Sequence, residues 1–98
     1  IAKYGTPSTN EIPDAVARYL PHHDAILLEN HGAVTVGVDL INAYYKMETM
    51  EHFAKVSLVA RQLGGEQELS MEQIQGCLDL RKKFKVPGKH PGYKKYIE

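Results

Sequence analysis

The chain has 98 residues, a formal net charge of zero, 43% hydrophobic residues and 24% charged ones. That apolar share is too high for a disordered chain, and the neutral total argues against a dedicated nucleic-acid binder. No run of about 18 apolar residues occurs, so no transmembrane helix is expected, and the single cysteine, Cys77, excludes a disulfide framework and points to a reducing, cytoplasmic setting.

The chain opens Ile1-Ala2-Lys3-Tyr4-Gly5-Thr6-Pro7, with no initiator methionine and no leader pattern. This reads as the interior of a longer polypeptide and predicts that residues 1–98 are its C-terminal portion. Pro7-Ser8-Thr9 signals a helix start. Ile12, Ala15, Val16, Tyr19 and Leu20 then follow the spacing of one helical face. Pro13 is tolerated in the first turn, where its missing N–H has no helical partner, and Pro21 is expected to stop the helix.

Ala25 to Leu28 is short and apolar at every position, which predicts a strand buried on both faces. Asn30-His31-Gly32 interrupts it, and Ala33 to Val36 resumes as a β-branched strand ended by Gly37. A tight hairpin and a single bulged strand both fit, and the sequence does not choose between them.

Asp39 is placed to cap the longest element. From Leu40, apolar residues recur at Ala43, Tyr44, Met47, Met50, Ala54, Leu58 and Leu63, with Glu48, Glu51 and Lys55 on the other side. Arg61 suits the last turn and Gly64-Gly65 the C-cap. A helix of about 24 residues is long for so small a chain, so much of its apolar face needs a covering partner. Ser70-Met71-Glu72-Gln73 is a capping box, with Leu69 and Ile74 spaced for a hydrophobic staple. The helix it opens is expected to turn Met71, Ile74, Cys77 and Leu78 inward and to end before Pro87-Gly88; Cys77 then reads as a small core hydrophobe.

Charge is divided along the chain. Residues 1–80 hold five Lys/Arg against eleven Asp/Glu, whereas residues 81–98 hold seven basic residues against Glu98 alone. The basic tail over 85–98 reads first as a solvated tail kept soluble by its lysines, and docking on a neighbour or contact with an anionic ligand is the alternative.

Histidine offers the main chemical lead. Of five, His22 and His23 fall in a helix-to-strand turn, His52 lies mid-helix with Glu48 as a surface pair, and His90 belongs to the tail. His31 stands at a strand break beside Gly32, which lets the backbone turn and project the imidazole into a cleft. Neutral imidazole is the commonest protein ligand for zinc, although a hydrogen-bonded core histidine reads the same way from spacing alone. No glycine-rich dinucleotide motif, phosphate loop or nucleophile elbow occurs.

The run Leu27-Leu28-Glu29-Asn30-His31-Gly32-Ala33-Val34-Thr35-Val36-Gly37 resembles the Asn-His-Gly signature of the class II aldolase/adducin family. Tyr4-Gly5-Thr6 with Glu11-Ile12 extends the likeness upstream. Asp39-Leu40, Ala43-Tyr44, Lys46-Met47-Glu48, Glu51, Ala54-Lys55 and Gln62-Leu63-Gly64-Gly65 extend it downstream. Within that family the sugar-phosphate aldolases look most similar.

The resemblance implies a three-layer α/β/α fold with a mostly antiparallel central sheet, of which residues 1–98 form the C-terminal part. It implies a homotetramer with active sites between subunits. It also implies a zinc held by three histidines, the third matching His31 and the other two coming from a His-x-His pair that this sequence does not contain. The implied reaction is lyase chemistry on a small phosphorylated sugar. A ketose such as L-fuculose 1-phosphate is cleaved to dihydroxyacetone phosphate and an aldehyde, with zinc as Lewis acid. Epimerase or dehydratase members of the family, and non-catalytic adducin-like modules, are the alternatives. The resemblance implies a Tyr-Gly in the C-terminal segment whose tyrosine serves a neighbouring active site; this chain has Pro87-Gly88 there, and Tyr93 or Tyr96 either takes the catalytic place or packs the tail onto a neighbour. With one histidine and no general base or phosphate loop at matched positions, the 98 residues alone are expected to bind zinc weakly and to be inactive.

Overall fold

The computed structural model describes residues 1–88. Its elements run α1 (Glu11–Ala17), β1 (Ala25–Leu28), β2 (Gly32–Thr35), α2 (Leu40–Gln62) and α3 (Met71–Lys83). Two compact units divide them, one over Ile1–Phe53 and the other over Ala54–Gly88, with the boundary inside α2. No helix among the described residues is long and apolar enough to cross a membrane.

In the first unit, β1 and β2 form an antiparallel hairpin in which Ala25 faces Thr35 and Leu28 faces Gly32. The hairpin, and not the bulged strand, is therefore the outcome. Val36 N–H donates to Asp24 O at 2.8 Å and extends the ladder by one step at its base. On the other edge of β1, Ala2 forms a parallel bridge, donating to Leu27 O (2.8 Å) and accepting from Glu29 N–H (3.1 Å). These bonds satisfy backbone groups that the edge of β1 would otherwise leave to solvent.

Ala2 and Ile26 are the buried hydrophobic residues of this unit, at 0% and 4% exposure. Burying Ile26 is worth about 1.5–3 kcal/mol. The expectation that β1 is covered on both faces is overturned: Leu27, on the opposite face, is 47% exposed. A continuous apolar run records a preference for burial on both sides, and among the described residues only one side is covered.

The first helix is also shorter than its apolar spacing predicts, ending at Ala17 instead of running to Pro21. A residue before proline is pushed out of the helical region, which acts here on Leu20. The chain tightens ahead of it, with Tyr19 and Leu20 N–H both donating to Val16 O. At the other end, Glu11 reaches back so that its Oε2 accepts from Thr6 N–H at 2.7 Å. Gly5 is required just before this, because a Cβ there would lie 2.8 Å from Ile12 N.

The start of α2 follows its sequence signal. Asp39 Oδ1 accepts from Asn42 N–H at 2.7 Å, the N-cap bond to the third helical residue. Three hydrogen bonds from two side chains fasten this helix to the base of the hairpin. Lys46 Nζ donates to Asp24 Oδ2 (3.0 Å) and to Val36 O (2.9 Å), and Thr35 Oγ1 donates to Ala43 O (2.8 Å). Gly37 lies between, and an added Cβ would be 2.6 Å from Ala43 N.

Of the expected inner face of α2, Ala43, Met47 and Met50 are half-buried. Leu40, Tyr44, Ala54, Leu58 and Leu63 are exposed, the part of the face for which a covering partner is expected. So are Ile41, Tyr45 and Phe53. A helix apolar around more than one side is built to be enclosed, and the described residues do not enclose it.

In the second unit α2 ends as a Schellman turn: Gly65 N–H donates to Ala60 O (2.8 Å) and Gly64 N–H to Arg61 O (3.3 Å), with φ of +116° and +112° at Gly64 and Gly65. The capping box of α3 forms as its spacing predicts. Gln73 N–H donates to Ser70 Oγ (3.2 Å), and Gln73 Oε1 accepts from Ser70 N–H (2.8 Å). Leu78 is buried and Ile74 half-buried. Met71 and Cys77 are exposed, which corrects the reading of Cys77 as a core residue. Ile74 and Leu78 share the covered stripe at i, i+4 spacing; Cys77 lies at its edge, and Met71, though on the same face, is the first residue of the helix, where no described residue covers it. The helix closes with a second Schellman turn, Val86 N–H to Arg81 O and Lys85 N–H to Lys82 O, both 3.1 Å, ahead of Pro87.

Candidate metal-ligand site at the hairpin tip

The hairpin reverses over Leu28-Glu29-Asn30-His31, closed by His31 N–H donating to Leu28 O at 3.1 Å. Asn30, third in this turn, has φ of +60°, and Gly32 has φ of +141°. Asn is the non-glycine residue that tolerates the first of these best, and the second belongs to glycine. This explains the order Asn-His-Gly. The flanking residues supply the backbone freedom, and the histidine between them is carried at the apex with its side chain exposed.

Two further residues brace that apex. The Tyr4 ring stacks on the His31 imidazole, with centroids 6.2 Å apart and planes 10° from parallel. Tyr4 N–H in turn donates to Glu29 Oε2 at 2.8 Å. With the Ala2 bridge on one side and the Lys46 and Thr35 contacts at the base, the hairpin is fixed at both ends. Tyr4 entered the sequence reading only within the family likeness and Glu29 only within the signature run. The roles they take depend on a bridge between residues 26 positions apart in Ala2 and Leu28, for which local spacing holds no signal.

Among the described residues, the other histidines form no metal-holding group with His31. His22 and His23 occupy the turn before β1, His23 beside the Tyr19 ring at 6.3 Å, and His52 is exposed on α2. Tyr93, Tyr96 and His90 lie outside the described residues. Among the described residues no three of His, Cys, Asp and Glu lie together so as to hold a metal ion. A tetrahedral zinc needs at least three protein donors, so His31 with the other described residues does not make up a metal site. Glu29, committed to Tyr4, serves as a brace.

Comparison with known proteins agrees with the tip sequence. The family model described as class II aldolase and adducin N-terminal domain matches residues 1–58. An L-fuculose phosphate aldolase of Methanocaldococcus jannaschii is 53% identical over 36 residues, 37% of this chain and 20% of the relative. One from Methanococcus maripaludis strain C5 is 44% identical over 41 residues, 42% of this chain and 23% of the relative. A rhamnulose-1-phosphate aldolase of Pectobacterium carotovorum is 31% identical over 87 residues, 88% of this chain and 31% of the relative. The matched stretch thus spans between 20% and 31% of these relatives' length. No solved structure gives a significant match. With more than half its length matched by the family model and the Asn-His-Gly turn at the hairpin apex, the chain belongs to the class II aldolase and adducin family.

Proposed function

We propose that this chain supplies one zinc ligand, His31, to a metal-dependent aldolase acting on a phosphorylated ketose. L-fuculose 1-phosphate, cleaved to dihydroxyacetone phosphate and an aldehyde, is the representative substrate. The observation that carries the reading is the exposed imidazole at a doubly fastened hairpin apex, within the segment that the family model matches. A stacked ring and a rigid turn limit the rotamers of His31, and a donor is best held close to its productive geometry before the ion arrives.

When bound, zinc supplies Lewis-acid polarisation of the substrate's oxygens. His31 contributes a neutral ring nitrogen. The remaining donors, the general base and the phosphate-binding groups come from outside these residues, so the 98-residue chain on its own is inactive and binds zinc weakly. Completion of a three-layer α/β/α domain, of which this chain is the C-terminal portion, and of a cytoplasmic homotetramer covers the exposed apolar side chains of α2. Tyr93 or Tyr96 acts from the basic tail at a neighbouring active site.

The test is metal content and aldolase turnover of the intact protein carrying this chain, before and after His31→Ala. Stoichiometric zinc and turnover, both lost in the variant with the fold retained, support the reading. Zinc and turnover that survive the substitution refute it.

A further inference from the structure

The geometry points to Tyr4 and Glu29 as positioning residues that set the orientation of the His31 imidazole. A histidine side chain has two rotatable bonds, and the turn fixes only the backbone from which they start. Something must then choose the ring plane. Tyr4 is the ring that does so, stacked nearly parallel to the imidazole at 6.2 Å and 10°, a separation and tilt typical of offset aromatic pairs. Tyr4 is itself 53% exposed and is not held by a core. Its place comes from the backbone: Ala2, two residues before it, is bridged to β1, and its own N–H is bound by the Glu29 carboxylate at 2.8 Å. Glu29 belongs to the same turn as His31, so the brace closes on itself. Carboxylate holds tyrosine backbone, tyrosine ring holds imidazole, and both acceptor and imidazole are carried by one four-residue reversal.

This arrangement gives Glu29 a role other than acid or base. It also makes the upstream Tyr4 segment part of the site despite its distance in sequence. The assignment of the ring's orientation stands on the contacts alone; its consequence for zinc rests on the proposed function above.

Two readouts on the intact protein test it. In protein labelled with 15N-histidine and kept metal-free, Tyr4→Leu is expected to shift and broaden the His31 ring signals, and Glu29→Ala to do so partially. Tyr4→Phe, which keeps the stacking face, leaves them in place. Zinc affinity, measured by competition with a chromogenic chelator, is expected to fall about tenfold in Tyr4→Leu and to stay within about twofold in Tyr4→Phe, the lower end of the range for residues supporting a ligand. Unchanged His31 signals in both Tyr4→Leu and Glu29→Ala overturn the proposal. If instead the ring signals respond as expected while His31→Ala leaves zinc affinity unaltered, the positioning stands and the metal reading fails.

Discussion

Replacing Gly32 by alanine isolates the contribution of the turn to the site. At φ of +141° an added Cβ meets no heavy atom within 4 Å, so no neighbour has to move. The cost is purely conformational, about 1–3 kcal/mol for holding a residue with a Cβ in a sparsely populated region. Relief of that strain requires rotation at the residue paired with Leu28, and the His31 N–H bond to Leu28 O lies within the same turn. Gly64 is the internal control: its φ is +116°, an added Cβ there also meets nothing within 4 Å, and it lies in the other unit. In urea unfolding of the intact protein, both Gly32→Ala and Gly64→Ala are expected to lose about 1–3 kcal/mol. A loss of 1 kcal/mol corresponds to a fall of roughly 2–8 °C in melting temperature, depending on domain size. Zinc affinity is expected to fall about tenfold in Gly32→Ala alone. Equal stability losses with zinc affinity unchanged in both variants refute the placement of a ligand at this tip. No stability loss at Gly32 refutes the reading of the turn.

Other consequences are local and independent. Asp39→Ala removes the acceptor of the Asn42 N–H bond and is expected to cost about 1 kcal/mol in thermal unfolding, with Asp39→Asn restoring most of it. Lys85 occupies the left-handed C′ position of the turn after α3 at φ of +51°, so Lys85→Gly is expected to stabilise the protein by about 0.5–1 kcal/mol in the same assay. The Thr6 N–H bond holds the Glu11 carboxyl below the ordinary glutamate pKa. The folded chain is then the stronger acid here. The bond contributes fully above the ordinary value and is lost as pH falls through the depressed one. The Thr6 amide shift followed by NMR should titrate with a midpoint below that of a free glutamate, and Glu11→Gln should abolish the titration.

Local signals in the sequence translate directly into structure wherever a short-range hydrogen bond encodes them. Asp39 caps α2, Gly64 and Gly65 end it, and Ser70 with Gln73 opens α3, because each of these bonds spans only a few residues. The hairpin was not decidable because the two strands are the same length in either arrangement. The choice rests on a left-handed Asn30, which the residue tolerates without announcing it. Burial was the least legible. Apolar spacing tells which side chains prefer to be covered, as at Leu58, Cys77 and Leu27, and says nothing about whether a covering element is present. The candidate site was legible in the placing of His31 and not in the residues that contact it. His31 sits between residues whose backbone freedom marks it, whereas Tyr4 reaches it through a parallel bridge and a stacking contact.

Anomalous scattering at the zinc edge from crystals of the intact, zinc-loaded protein tests the central claim most directly. The account predicts a peak bonded to a His31 ring nitrogen at about 2.0–2.1 Å, the length of a zinc–histidine bond, with the Tyr4 ring stacked on the same imidazole. A zinc peak coordinated elsewhere, with His31 remote from it, contradicts the account.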